Sequence, residues 1–306
     1  MLRSGHTQSA IASTINKHKS VVSREIKRNR DERNGKYDFD LAQRKCDLRH
    51  KKKPKHKRLT SEMSQYIVGL LEQEYSPEQI KGVSDLNGID CVSHERIYLM
   101  IYADKRRKGD LHKNLRNKGR PYRKRGALKD KRGMIPNRID ISDRPDIVGD
   151  RSRFGDLEID TIVGKNHKSS ILTINDRMTG VLRMSKLEAR TATVLADKTI
   201  ELLSPWSDYL KTITSDNGYE FGHHERIADK LKVDFYFARP YHSWERGSNE
   251  NLNRLVRQYI PKGTDFNLLT DEYVKFVEQR INDRPRKRFG FLSPNQVLTQ
   301  KVAFIN

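Results

Sequence analysis

Between residues 154 and 238 the hydrophobic pattern switches repeatedly between the period of a strand and the period of a helix, and few folds accept that order. Residues 154–163 alternate, with Leu157, Ile159 and Val163 on one face and Asp156, Glu158 and Asp160 on the other. Residues 170–175 and 181–187 flank Asp176-Arg-Met-Thr-Gly180 and predict an antiparallel hairpin beside that first strand. A helix over 191–203, a short strand over 210–215, a helix over 223–231 and a strand over 233–238 follow. The expected class is therefore α/β, a five-stranded mixed sheet with flanking helices.

Charge divides the chain differently. Residues 1–150 hold 36 Lys and Arg against 20 Asp and Glu, whereas the remainder holds 25 against 20, so most of the net +21 lies in the first half. Such a surplus predicts a polyanionic partner. No apolar run approaches the roughly 20 residues that span a bilayer, so no membrane partner is expected. Cys46 and Cys91, the two cysteines, form no C-x-x-C pair, which argues against a zinc knuckle or disulfide framework and fits a reducing cytoplasm.

The basic half reads as helical. Residues 7–16, with Ile11 and Ile15 four apart, and residues 20–28, with Val22 and Ile26 on one face, flank the turn Lys17-His-Lys19, which is helix-turn-helix spacing. The second helix would carry Ser20, Val21, Ser23 and Arg24 towards base edges and Lys27 and Arg28 towards phosphates. A generic helical hairpin is the alternative. Only residues 1–4 precede the first helix, so this unit, residues 1–30, is expected to lack an initial helix. Residues 31–58 read as a basic linker, ending in Lys51-Lys-Lys-Pro-Lys-His-Lys-Arg58.

Residues 59–104 read as a second helical DNA-binding unit. Met63, Ile67, Leu70 and Leu71 form a stripe, Ser76-Pro-Glu-Gln79 combines a capping box with a first-turn proline, and a further helix starts at Ser93 with His94 and Arg96 as candidate DNA contacts. Residues 105–150 are expected to be a basic linker and connector, since 105–132 carry fourteen Lys and Arg against Asp110 and Asp130. The catalytic domain with its C-terminal helices is then residues 151–306.

Three acids fall on different elements of that domain. Asp160 lies on the first strand, Asp216 at the end of the fourth, where Asn217 and Gly218 permit a sharp turn, and Glu250 in the first turn of a helix beginning near Ser248. Leu252, Leu255, Val256 and Tyr259 form that helix's apolar stripe, which places Glu250, Arg254 and Arg257 on the outward side. Asp156, Glu158 and Asp176 are rivals for the first position. Carboxylate oxygens suit Mg2+ or Mn2+, and two such ions stabilise the attacking and leaving oxygens of an in-line displacement. His223, His224 and His242 are alternative ligands that a hard-metal site does not need.

The motifs carry a resemblance. Val22-Ser-Arg-Glu-Ile-Lys-Arg-Asn29, Ser76-Pro-Glu-Gln-Ile80, Val92-Ser-His-Glu-Arg-Ile-Tyr98, Trp244-Glu-Arg-Gly-Ser-Asn-Glu-Asn251, Arg257-Gln-Tyr-Ile-Pro-Lys-Gly263 and Asn282-Asp-Arg-Pro-Arg-Lys287 resemble the IS-thirty family of bacterial insertion-sequence transposases, DDE enzymes with a retroviral integrase-like core. The resemblance implies a ribonuclease H-like integrase core preceded by all-α helix-turn-helix regions. It also implies a triad of Asp160, Asp216 and Glu250 that ligates two Mg2+ or Mn2+ ions, with Arg257 as the basic residue seven positions on.

Double-stranded DNA at element ends and target would then be the substrate, with Arg254 a further DNA contact and residues 241–249 a mobile approach in which Trp244 packs or stacks. The 282–288 loop would be basic surface that meets DNA. A homodimer or higher synaptic complex and a cytoplasmic, nucleoid-associated location are implied as well. The competing reading is a catalytically silent sequence-specific regulator, and a third is a nuclease without strand transfer.

Overall fold

The computed structural model describes residues 1–52, 59–116, 135–165, 169–239 and 247–302. The chain divides into two compact units, Met1–Arg58 and Leu59–Asn306.

In the first unit, α1 (Gln8–Thr14) begins where Thr7 accepts from the backbone N–H of Ala10, and α2 (Lys19–Asn29) where the His18 ring accepts from the N–H of Ser20. Both caps satisfy N–H groups that a helix start otherwise leaves orphaned. Ile11, Ala12 and Val22 are buried between the two helices, with Ile26 packed against them. The expected linker over 31–58 is corrected, because it contains a third helix, α3 (Phe39–Lys52). Little of α3 is apolar and buried beyond Ala42, so the hydrophobic period gives no sign of it. Polar contacts hold it instead: Arg49 donates to the buried Asn29 side chain at 2.6 Å and Lys45 to the Arg30 carbonyl at 2.9 Å. Asp40 in the first turn and four basic residues in the last complement the helix dipole.

The second unit starts with α4 (Ser61–Glu72), α5 (Pro77–Leu86) and α6 (His94–Arg106). The Ser76 and Gln79 capping box forms as expected. Ile67, Leu71, Ile80, Val92, Ile97 and Ile101 close around one core, which Met63 and Leu70 border.

The sheet order is β1-β6-β5-β2-β3-β4, built from β1 (Ile139–Asp140), β2 (Asp156–Val163), β3 (Ser170–Asp176), β4 (Leu182–Leu187), β5 (Thr212–Ser215) and β6 (Asp234–Phe237). β2, β3 and β4 are antiparallel neighbours, and β5 and β6 run parallel to β2 on its other side. The five expected strands thus take the ribonuclease H-like order. A two-residue strand, β1, pairs parallel with β6 beyond them, with a short helix, α7 (Ile147–Asp150), following it.

Helices cover both faces of the sheet. α8 (Ala192–Leu203) and α9 (His224–Leu231) bury Leu157 and Ile159 together with Ile213 and Phe235, while α10 (Gly247–Tyr259) and α11 (Asp271–Asn282) bury Ile162, Ile171, Leu182 and Met184. α12 (Pro294–Lys301) follows, with its own capping box from Ser293 and Gln296.

The connector expected over 105–150 is also corrected where it is described. Ile135, Ile141 and Val148 are buried, and Arg144 donates to the Thr214 hydroxyl at 3.0 Å, so 135–150 belong to the sheet's flank. Residues 117–134, the centre of that basic run, lie outside the described residues. No break between compact bodies occurs near Asp150. α5 instead docks on the chain after α11: Gln79 donates to the Pro285 carbonyl at 2.6 Å, and a Cβ on Gly82 would lie 2.3 Å from the Phe291 ring.

Candidate active site

The register of the parallel pair β2 and β5 brings the first two acids together. Asp156 pairs with Thr212, Leu157 with Ile213 and Glu158 with Thr214, so Asp160 and Asp216 each stand two residues beyond the last pair. They therefore leave adjacent strands at one level, with Asp216 one residue past the end of β5. Both are partly exposed.

Each carboxylate is held by its neighbours. Asp160 accepts from the Thr161 backbone N–H at 2.8 Å and from the Asn253 side-chain amide at 2.8 Å. Asp216 accepts from the Gly218 N–H at 2.9 Å, the turn expected of Asp-Asn-Gly. Asn217 fixes the other end of that turn by donating to the Ala238 carbonyl at 2.6 Å while accepting from Arg138.

Glu250 arrives on α10, which crosses β2 and β3 with Asn249 and Asn253 facing the sheet. Asn249 donates its backbone N–H to Glu158 at 3.2 Å, and the Thr173 hydroxyl donates to the side-chain amide oxygen of Asn253 at 3.3 Å. Glu250 lies on the outer side, as expected, with its side chain 57% exposed and paired to Arg254. Its carboxylate is thus directed along its own helix. Among the described residues, no three of His, Cys, Asp and Glu stand close enough to hold a metal ion. The structure brings Asp160 and Asp216 together and sets Glu250 on the adjacent helix without closing the triad.

The rival acids have other partners. Asp156 is fully buried, paired with Arg153 at 2.8 Å and accepting from Thr212 at 2.8 Å. Glu158 is fully buried against Arg177, which also donates to the Val148 carbonyl. Asp176 accepts from the Gly155 N–H and from both the N–H and hydroxyl of Thr179; burial pushes its carboxyl above the usual range despite these bonds. The face of β2 that carries these acids is covered, which the alternation alone does not indicate.

Arg257, expected at a DNA phosphate, donates to the Val163 carbonyl at 2.7 Å and the Pro261 carbonyl at 3.3 Å, and lies 5.8 Å over the Phe266 ring. Burial lowers its pKa. It ties the end of β2 to the end of α10. His224 packs edge-on against Phe237 and His223 precedes α9, so neither joins the acids. His242 and Trp244 lie outside the described residues, as does the approach to α10 through residue 246.

Two polar residues at this site are not evident from the sequence motifs. Asn253 lies one turn after Glu250, a spacing that could have marked it. Glu220 is 9% exposed and accepts from the Thr161 hydroxyl at 2.9 Å and from Arg190 at 3.3 Å. Its Oε2 and Asp216 Oδ1 stand 2.8 and 3.0 Å from the point where a Cβ on Gly218 would lie, so this turn has no room for a side chain there.

The donor set fits a hard divalent cation in kind. Asp160, Asp216 and Glu250 offer only oxygen, and two of the three already stand at one level of the sheet.

The expected nucleic-acid contacts divide by unit. On α2, Ser20, Val21, Ser23, Arg24, Lys27 and Arg28 are all exposed, opposite the buried Val22, and Arg24 folds back to the Ser20 carbonyl at 3.0 Å. On α6, Arg96 is exposed and His94 contacts Glu95 at 3.0 Å. Arg254 is engaged by Glu250. The 282–288 loop departs from expectation: Arg284 is 3% exposed, donating to Gln258 at 2.9 Å and Gln79 at 3.2 Å, because α5 docks over it.

No family model matches the chain. It is 53% identical to the transposase for insertion sequence element IS4351 of Bacteroides fragilis, over 99% of this chain and 93% of that protein. Identity to the transposase for IS1086 of Cupriavidus metallidurans is 34%, over 96% and 89% of the two chains. Identity to the transposase InsI for IS30C of Escherichia coli is 31%, over 96% and 79%. Among solved structures, the catalytic core domain of BIV integrase is similar with a TM-score of 0.40 and 17% identity, over 49% of this chain and 96% of that one. No helix among the described residues is long and apolar enough to cross a membrane.

Proposed function

We propose, for a chain that belongs to the IS30 (IS-thirty) family of insertion-sequence transposases, that it binds the terminal inverted repeats of its element, cleaves their 3′ ends and joins them to target DNA. The observation that supports this most is the shared level of Asp160 and Asp216 on adjacent parallel strands, with Glu250 on the helix that crosses them.

Asp160, Asp216 and Glu250 would hold divalent cations, Mg2+ or Mn2+ and two in number. Bound there, such ions would stabilise the attacking and leaving oxygens of an in-line displacement, first by water at the element end and then by the freed 3′-hydroxyl on target DNA. The chain's own contribution is placement. Asn253 and the Thr161 N–H fix the direction of the Asp160 carboxylate, and the Gly218 N–H fixes that of Asp216. Like charges on neighbouring strands repel, and a bound cation would relieve that repulsion. Glu250 would complete the set by giving up its pairing with Arg254, whose charge would then be available to a DNA phosphate.

Exposed side chains on α2 read the repeats, with Arg96 of α6 adding backbone contact. Pairing two element ends calls for a homodimer or larger synaptic complex, acting in the cytoplasm at the nucleoid.

Supercoiled donor DNA carrying the inverted repeats, incubated with the protein and Mg2+ or Mn2+, should give nicked and then joined products. Asp160→Ala, Asp216→Ala and Glu250→Ala should each abolish both, and activity persisting in all three would sink the site assignment. The engagement of Glu250 by Arg254 favours one second reading, a regulator that binds the repeats without cutting them. Repeat-specific binding with no metal-dependent nicking would establish that reading instead.

A further inference from the structure

α10 is held on two of its faces and bare on a third. At about 100° per residue, Leu252, Asn253 and Val256 fall on one face, which packs on the sheet and bonds Asp160. Glu250, Arg254 and Arg257 fall on a second, directed outward. Asn251 and Gln258, two turns apart, fall on the remaining face, and Tyr259 borders it. Residues 59–116, the segment of α4, α5 and α6, take hold of that face.

Four attachments among the described residues make the hold. Arg116 donates to the backbone and side-chain oxygens of Asn251, the residue after Glu250, at 3.0 to 3.1 Å. The Gln258 amide donates to the Asn114 carbonyl at 3.4 Å. Arg284 bridges α10 to α5, donating to Gln258 at 2.9 Å and to Gln79 at 3.2 Å. The Tyr259 hydroxyl donates to Glu74, just past the end of α4.

Two features tie these contacts to the rest of the helical segment. Glu74 has φ +64°, a conformation that favours glycine, so the turn's own preference does not explain a glutamate there, whereas the bond from Tyr259 does. Leu115, between Asn114 and Arg116, is buried in the core that α4, α5 and α6 share. The turn before it, Leu111–Asn114, starts where Asp104 of α6 accepts from the Leu111 N–H at 3.0 Å. The grip on α10 is thus continuous with α6.

A helix attached along one face can roll on that face. A second line of attachment fixes its rotation about its own axis, and with it the direction in which each side chain leaves. We infer that residues 59–116 act as a positioning clamp on α10, in which Arg116, through Asn251, is the positioning residue that sets the direction of Glu250. This rests on the reading of Glu250 as a cation ligand.

The test uses the full chain and Arg116→Gln. Mn2+ binding, measured without DNA, should weaken about 10-fold, the lower end of the range for residues that orient metal ligands. Nicking at saturating donor DNA should fall by a similar factor, with the donor concentration for half-maximal rate unchanged. Hydrogen exchange, measured without metal or DNA, should rise in the first half of α10 and not in the sheet. In a Glu250→Ala background, Arg116→Gln should leave Mn2+ binding where Glu250→Ala alone puts it, and a further loss there would mean that Arg116 acts elsewhere and would refute the clamp.

A merely structural role lowers the melting temperature with Mn2+ affinity unchanged, and a DNA contact raises the half-maximal donor concentration with Mn2+ affinity unchanged. Either result would overturn the inference. Should Arg116→Gln fail to fold, Tyr259→Phe, which removes one hydroxyl at the far end of α10, is held to the same outcomes. Nicking that Glu250→Ala leaves unaltered would overturn the ligand assignment and the clamp with it, whereas wild-type Mn2+ binding in a folded Arg116→Gln would overturn the clamp alone.

Discussion

Asn253 donates its side-chain amide to Asp160 at 2.8 Å, so the helix bearing one candidate ligand is tied to the carboxylate of another. Residues that orient metal-binding carboxylates typically matter by one to two orders of magnitude, although they touch neither metal nor substrate. Asn253→Ala should therefore reduce donor nicking about 10- to 100-fold. Thermal unfolding should fall by only about 1 kcal/mol, the net value of one such bond. Melting curves beside the nicking assay separate the two effects, and unchanged nicking in a folded variant would show that the contact is incidental.

Glu158 separates from Asp160 in a different experiment. Its carboxylate lies fully buried between Arg177 and the Asn249 N–H in the first turn of α10. Glu158→Gln leaves Arg177 buried without its counter-charge, and stability should drop by about 3–5 kcal/mol in urea unfolding. Asp160→Asn removes a partly exposed charge beside Asp216 and should change stability by no more than about 0.5 kcal/mol. Equal losses from the two substitutions would contradict the division into a structural and a catalytic acid.

Glu278 gives the pH dependence a sign. Burial raises its carboxyl above the ordinary 4.5, outweighing Arg183 and the Met184 N–H. A carboxyl raised on folding binds its proton more tightly in the folded state. The stability it contributes is complete below the unfolded value and is lost as pH rises through the folded one. Glu278→Gln should therefore lessen the decline in melting temperature on going from pH 4.5 upward, relative to wild type. Parallel melting profiles for the two proteins over that range would refute the assignment.

The strand order, the Ser76 and Gln79 capping box, the turn at Asp216 and the outward side of Glu250 are legible in the sequence because each depends on local chemistry or a simple period. What is not legible depends on partners distant in sequence. α3 escapes because Asn29 and the Arg30 carbonyl hold it, not an apolar stripe. The acids on β2 cannot be ranked from alternation, since Arg177, which buries Glu158, lies 19 residues on, and alternation does not show that Arg153 turns back onto Asp156. Arg284 sits in a run of basic residues with the composition of a surface loop, and only the docking of α5 buries it.

The seam between Gly82 and Phe291 has a consequence for where a cut would fall. With no space between that α-carbon and the ring, α5 cannot slide along the segment it rests on, and α6 shares a core with α5. Any polymer gripped by α6 is thus measured off against Asp160 as by a ruler, whose length is set by side-chain packing and not by how many residues join Arg116 to Ile135.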